Sequence, residues 1–282
     1  MVLMFFLFFP VLGFSQQRLH VILSGGFSNY QGDLQTKYFS LDQANAAFGA
    51  GVKYDLTSHF SVRGGFMFAT VGATDKKNQD LLKARNLSFE TRILEGSFLL
   101  EYTLLDLSEK KLSPYVFAGA AVYHFSPYAY DTLGNKIYLQ PLGTEGQGLA
   151  GYPDRKLYSR TQFAIPFGGG VKFRIADNAV ISYEIGLRKL FTDYLDDLSK
   201  TYVDPFVLAQ QRGMKSVEMS YRGGELKGGD PSYPADGSVR GGPKYKDWYY
   251  FTGLTLSIGI NTGNGHSSGN NRRRNQNGCP TP

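Results

Sequence analysis

Residues 160–175 read RTQFAIPFGGGVKFRI, with an apolar side chain at nearly every second position: Phe163, Ile165, Phe167, Val171, Phe173 and Ile175. Between them stand glycines, Lys172 and Arg174. Side chains of a strand point alternately to opposite faces, so this segment has one greasy face and one charged face. The same period recurs at 19–30, 47–56, 60–71, 87–104, 114–125, 162–175, 179–190 and 248–260. Segments of this length, tilted, can each cross a hydrocarbon layer. An aromatic content of 15% and 34 glycines suit strands and tight turns better than helices.

The apolar registers are Phe48, Ala50, Val52, Tyr54 and Leu56; Leu94, Phe98, Leu100, Tyr102 and Leu104; Ile181, Tyr183, Ile185 and Leu187; and Trp248, Tyr250, Leu254, Leu256, Ile258 and Ile260. The opposite registers hold Lys53, Asp55, Arg63, Glu95, Glu101, Lys172, Arg174, Glu184 and Arg188. A soluble barrel or sandwich would bury the first set and wet the second, whereas an outer-membrane barrel inverts the arrangement. Connection lengths separate the two. The second, fourth and sixth connections are brief (57–59, 105–113, 176–178), while the others are longer and two are very long, 126–161 and 191–247. Membrane barrels sort their loops in this way, short turns on the periplasmic side and long loops outside, and a sandwich has no reason to.

The expected fold is therefore all-β: an eight-stranded antiparallel transmembrane β-barrel of the outer membrane, with long extracellular loops and short periplasmic turns. Eight strands enclose an interior that side chains fill. The charges facing it should pair, because an unpaired buried charge costs several kcal/mol, and the barrel should be closed to solutes. Aromatics near segment ends, Tyr30, Tyr102, Tyr115, Tyr123, Phe125, Trp248, Tyr249 and Tyr250, are expected to form interfacial girdles.

Three divisions follow along the chain. Residues 1–15, MVLMFFLFFPVLGFS, are too short an apolar run for a membrane helix and end in small residues, as a secretory signal peptide does. Residues 16–260 carry the barrel. Residues 261–282 are Gly-, Asn- and Arg-rich, a flexible basic tail with Arg272, Arg273, Arg274 and the only cysteine, Cys279. An even strand count puts this tail and the N-terminus on the periplasmic side. A lone thiol in an exported chain suggests an intermolecular disulfide through Cys279 or a chance free thiol. The net charge of +6 comes with no basic, aromatic-interleaved stripe, so nucleic acid is not expected as a partner.

Chemistry is poorly represented. The last long connection opens FTDYLDD, with Asp193, Asp196 and Asp197. Clustered carboxylates can bind Ca²⁺ or serve as an acid/base pair, but the spacing fits no EF-hand, the loop is expected to be exposed and no histidine lies near, so a structural, partner-contacting or solvated loop is expected. The string TEGQG, with Thr144, Glu145 and Gln147, lacks the strand-to-helix context of a phosphate loop and reads as a tightly turned surface loop. The four histidines are scattered. No catalytic residue, metal ligand or cofactor motif emerges.

The strings GGFSNYQGDL (25–34), RNLSFETRILEGSF (85–98), LQPLGTEGQGL (139–149), IPFGGGVKF (165–173), FTDYLDDLS (191–199) and the near-terminal Cys-Pro resemble the PorG-type outer-membrane barrel of the type IX secretion system. The resemblance implies a non-enzymatic component of that machinery, seated in outer-membrane lipid and docking a periplasmic ring made of a lipoprotein and its partner subunit. It carries over Cys279, at the family's Cys-Pro, and the loop strings. Arg272, Arg273 and Arg274 are the candidates for meeting an acidic partner surface. Two other classes are a small porin or solute transporter, which needs an open lumen, and a barrel enzyme using Asp193, Asp196 and Asp197.

Overall fold

The computed structural model describes residues 18–35, 42–78, 80–242 and 246–260, without the side chains of residues 80 and 81. Residues 1–15, expected to be a signal peptide, and the tail with Arg272, Arg273, Arg274 and Cys279 lie outside them. Eight long strands close on themselves: β1 (Leu19–Gln31), β2 (Asn45–Asp55), β3 (Phe60–Thr74), β4 (Ser88–Thr103), β5 (Leu112–Tyr130), β7 (Thr161–Ala176), β8 (Ala179–Leu190) and β9 (Trp248–Gly259). A short strand, β6 (Lys136–Tyr138), extends β5 beyond the barrel wall. Each strand pairs antiparallel with its neighbours, and the β4–β5 and β1–β9 pairings complete the ring. A closed ring leaves no sheet edge, so the backbone polar groups of the wall can pair strand to strand without water, with a gap in the β5–β7 ladder at Ile165 and Pro166.

The period of two survives in every wall strand. Phe163 is 68% exposed and Phe98 62%, whereas Lys172, Glu184 and Arg188 are each at most 4% exposed. The greasy side thus faces out and the charged side faces in. Gly168 and Gly170 of the opening stretch share the inward parity of Ala164 and Lys172, and aromatic rings from β5 lie across them. A Cβ at Gly168 would come within 2.8 Å of the Phe117 ring, and one at Gly170 within 3.0 Å of the Tyr115 ring. Glycine here is the cavity that an aromatic fills.

The girdle expectation fails for several residues. Tyr30, Tyr115, Tyr123, Phe125 and Tyr249 lie on the inward register and are buried. Tyr102, 40% exposed, and the partly buried Trp248 lie on the outward one, as does Tyr250 by parity although it is only 5% exposed. Proximity to a strand end was a weaker guide than parity along the strand, which sets the face a ring belongs to.

Connections 56–59, 104–111 and 177–178 are short and lie at one rim, where residues 18 and 260 also lie. The long connections gather at the other rim, where they carry β6, α2 (Pro205–Arg212), α3 (Met214–Ser220) and a short helix, α1 (Asp80–Lys83). Here α2 begins with Asp204 accepting hydrogen bonds from the Phe206 and Val207 amides and Pro205 at its first position.

Placing a cation on the outward face tests the orientation directly. Phe98→Arg is expected to cost about 2–4 kcal/mol in urea titrations of the protein in liposomes, against no change for Lys110→Ala in an exposed turn; equal midpoints would contradict a lipid-facing Phe98.

Candidate functional site: a charged lumen under a loop cap

The strand registers stack the inward charges in tiers from the short-turn rim to the long-loop rim. Nearest the short turns, Asp55 accepts from His20 Nε2 at 2.7 Å and from Ser61 at 2.7 Å, and Lys53 stands 3.3 Å away. Lys172 pairs with Glu101 and donates to Thr103 at 2.7 Å. In the next tier Arg63 donates to both oxygens of Glu184, at 2.8 and 3.4 Å, and its guanidinium lies 4.9 Å from the centre of the Phe117 ring. Tyr115 donates to Glu184 at 2.7 Å. In the last tier Arg188 donates to Glu95 at 3.0 and 3.3 Å, and Tyr249 at 2.5 Å. Arg174 is not a member of this network. Its side chain is half-exposed at the short-turn rim and stands 3.9 Å from the exposed Asp177.

Between the tiers remains a cavity of about 50 Å³ beside Arg63, Glu95, Ser97, Glu184 and Arg188. That is room for no more than a few waters. The pairing leaves little alternative, since Glu95, Glu101 and Glu184 are buried with no bulk water to turn to, whereas Asp55 opens to the rim.

Above Glu95 the lumen is closed by the long loops. Phe125, Tyr158 and Tyr194 stack at centroid distances of 6.0 and 4.6 Å with planes within 9° of parallel. Over them sit both strings singled out in the sequence, and neither is a surface loop. Thr144, Glu145 and Gln147 are buried, as are Asp193, Asp196 and Asp197, which corrects the expectation of a solvated segment. Glu145 accepts the amides of Ser199 and Lys200, both at 3.0 Å, and Arg240 Nη1 at 3.1 Å. Asp197 accepts from Thr144 at 2.5 Å and from Tyr158 at 2.7 Å. The TEGQG turn needs its glycines: Gly146 has φ +79°, and a Cβ there would approach Val203 to 2.7 Å. A residue with a side chain would be strained there in any case.

Sequence reasoning missed the residues that hold these strings. Arg240 is almost fully buried, and besides Glu145 it donates to the carbonyls of Asp197 and Ser220. Arg85, in the β3–β4 loop, makes a bidentate pair with Asp75 and reaches the carbonyls of Arg240 and Asp33. One guanidinium thereby ties together three loops. A signal existed in Arg240-Gly241-Gly242: a Cβ on Gly241 would lie 2.5 Å from the Ser199 amide nitrogen. No period marks it, because loop residues have none.

Tyr30, at the top of β1, stands 2.5 Å from Asp196 and 3.1 Å from Asp247 through the same hydroxyl. That hydroxyl has one proton to share between two carboxyls, an arrangement that a proton on either of them would relieve. Burial, and then the neighbouring Asp247, push Asp196 well above the usual carboxylate range; burial, and then Asp193, do the same to Asp247. Burial also raises Asp193 and Asp197 to about 6, against the bond from Ser199 in the first and the charge of Arg240 in the second. Among the described residues no cluster of histidine, cysteine, aspartate and glutamate could hold a metal ion. A proton meets the need of the Asp196–Asp247 pair.

Two outcomes are expected. Glu95→Ala strands Arg188 and should cost about 3–5 kcal/mol in heat- or urea-unfolding followed by gel mobility, while Glu95→Leu with Arg188→Met recovers most of it; equal loss in both would contradict a pairing role. The raised carboxyls of the cap bind protons more tightly folded than unfolded. Their contribution is full below about pH 4 and is lost as pH rises through about 6 and above. Hydrogen exchange of residues 191–247, corrected for intrinsic rate, should speed up over that window, and Asp247→Asn should flatten the rise. A flat profile in the unmodified protein would contradict it.

Solved structures similar to this chain include Ail, the attachment invasion locus protein of Yersinia pestis, at 10% identity and TM-score 0.40, covering 86% of this chain and 98% of that one. A major outer membrane protein from Thermus thermophilus matches at 14% identity and TM-score 0.41, covering 85% and 98%. Neisserial surface protein A matches at 7% and 0.40, covering 86% and 97%. None of these transfers an activity, and the barrel stands on its own strand pairings. No curated protein matches the sequence. The model of one family, described as a domain of unknown function (DUF6089), matches residues 1–208, and the chain belongs to that family.

Proposed function

We propose that this barrel is a non-enzymatic component of the type IX protein secretion machinery, anchoring or docking a periplasmic ring of lipoprotein and partner subunit at the outer membrane. The observation that carries the reading is where the resembling strings fall. TEGQG and FTDYLDD, the most specific of them, are the segments whose Glu145 and Asp197 close the lumen around Arg240. A barrel whose distinctive residues shut its own interior is suited to being a fixed body in the membrane rather than a conduit.

In this reading the short-turn rim faces the periplasm, as in other membrane barrels. It offers a polar recess of about 340 Å³ beside His20, Lys53, Asp55, Lys172, Arg174 and Asp177. Residue 260, the last one described, lies at this same rim, and Arg272–Arg274 and Cys279 follow it in the chain. Partner contact is assigned to these elements, with Cys279 available for a disulfide to a partner thiol.

Deleting residues after 261 is expected to leave the barrel folded by heat-modifiable mobility but to release it from the ring in native-membrane purification, with any disulfide-linked species absent on non-reducing gels. Continued co-purification with the ring would sink the tail's role. Conductance steps in planar bilayers would favour a porin or solute transporter instead.

A further inference from the structure

The outward wall of β4, β5 and β7 carries a cluster of cations directly above its apolar band, at the long-loop rim. Arg92 of β4 lies opposite Ser126 of β5, and Arg160, just before β7, donates to Ser126 Oγ at 3.4 Å. The two arginines therefore flank one hydroxyl. His124 is the next outward residue below, with Nδ1 3.0 Å from Thr161 Oγ1. Further up, Lys136 of β6 holds its ammonium 3.6 Å from the centre of the Tyr128 ring and 5.1 Å from that of Tyr138. Arg92, His124 and Arg160 are exposed.

Some other basic residues of this rim are paired, Lys215 with Asp131 and Glu218, Arg222 with Glu225 and Arg85 with Asp75, while Arg155, Lys200 and Arg212 are held by backbone carbonyls. Among the described residues, no carboxylate forms an ion pair with Arg92, Arg160 or Lys136. The one acid on this wall, Glu90, accepts from Tyr128 at 2.8 Å. Immediately below the arginines the outward residues are Leu94, Val122 and Phe163, all exposed.

We propose that this wall is a binding site for an anionic phosphoglycolipid of the outer leaflet. Acyl chains would lie along Leu94, Val122 and Phe163, and a headgroup phosphate would sit between Arg92 and Arg160, whose planar donor forks match phosphate oxygens. The exposed rings of Tyr130 and Tyr138 stand at the level a sugar would occupy and present apolar faces with polar rims. Cations at a membrane edge gain from anionic headgroups without leaving water entirely. The inference goes beyond the docking role and needs only that the long loops lie outward; binding of purified lipid does not depend on the ring.

The test uses the purified full chain in nanodiscs and reads bound lipid by intact mass spectrometry. The probes are bisphosphorylated lipid A, its dephosphorylated form, phosphatidylglycerol and millimolar inorganic phosphate as competitor. Lipid A should be retained by the unmodified chain and by a Lys110→Ala, Lys111→Ala control at the opposite rim. Arg92→Ala with Arg160→Ala should bind it at least about tenfold more weakly, as the loss of a charge-assisted hydrogen bond implies. Dephosphorylated lipid A should bind the unmodified chain equally weakly, an arm that needs no variant. Undiminished binding of either, phosphatidylglycerol binding as tightly as lipid A, or displacement of the lipid by free phosphate would each overturn the proposal.

Discussion

A charge inside an eight-stranded barrel has no bulk water to reach, and its pairing is the condition on which the rest of this structure depends. Arg63, Arg188 and Lys172 each meet a carboxylate from a strand across the lumen. Each pair ties together strands that are not neighbours in the sheet, so the network braces the wall from within. Taking one partner away would leave the other stranded at a cost of several kcal/mol. The tyrosines Tyr115 and Tyr249 satisfy remaining carboxylate lone pairs, and this is why they face inward rather than toward the membrane interface.

The cap continues the same logic with different means. Outside the wall there is no strand period to place charges opposite one another, so loops are joined through backbone groups. Arg240 and Arg85 reach carbonyls of other segments, and Glu145 collects amides from the loop that follows β8. Where acids outnumber bases, around Tyr30, burial and mutual repulsion favour the protonated form of Asp196 and Asp247. Lumen and cap together fill the interior with paired side chains, which leaves the two rims and the belt between them as the distinctive surfaces, and the functional readings concern those surfaces.

Much of this was legible beforehand. Alternation located eight strands, and sorted loop lengths chose membrane over water. The exception was the set of aromatics near strand ends, where nearness to the end suggests an interfacial ring while parity, as at Tyr115 and Tyr249, places it inside. The loop strings were recognised as distinctive, yet their burial was not foreseen. TEGQG and FTDYLDD carry glycines, threonine and acids, a composition that reads as solvated unless a partner guanidinium from far along the chain is placed against them.

By itself, then, the sequence determined which residues face lipid and which face the lumen, because a period of two is a local property of an extended backbone. It also determined which rim holds the short turns. The tertiary structure alone decided that Asp197 and Glu145 meet Arg240, that Tyr30 is shared by Asp196 and Asp247, and that Arg92 and Arg160 come to flank Ser126. Those contacts join residues distant in the chain, and no local pattern encodes a meeting that exists only once the barrel has closed and the loops have folded over it.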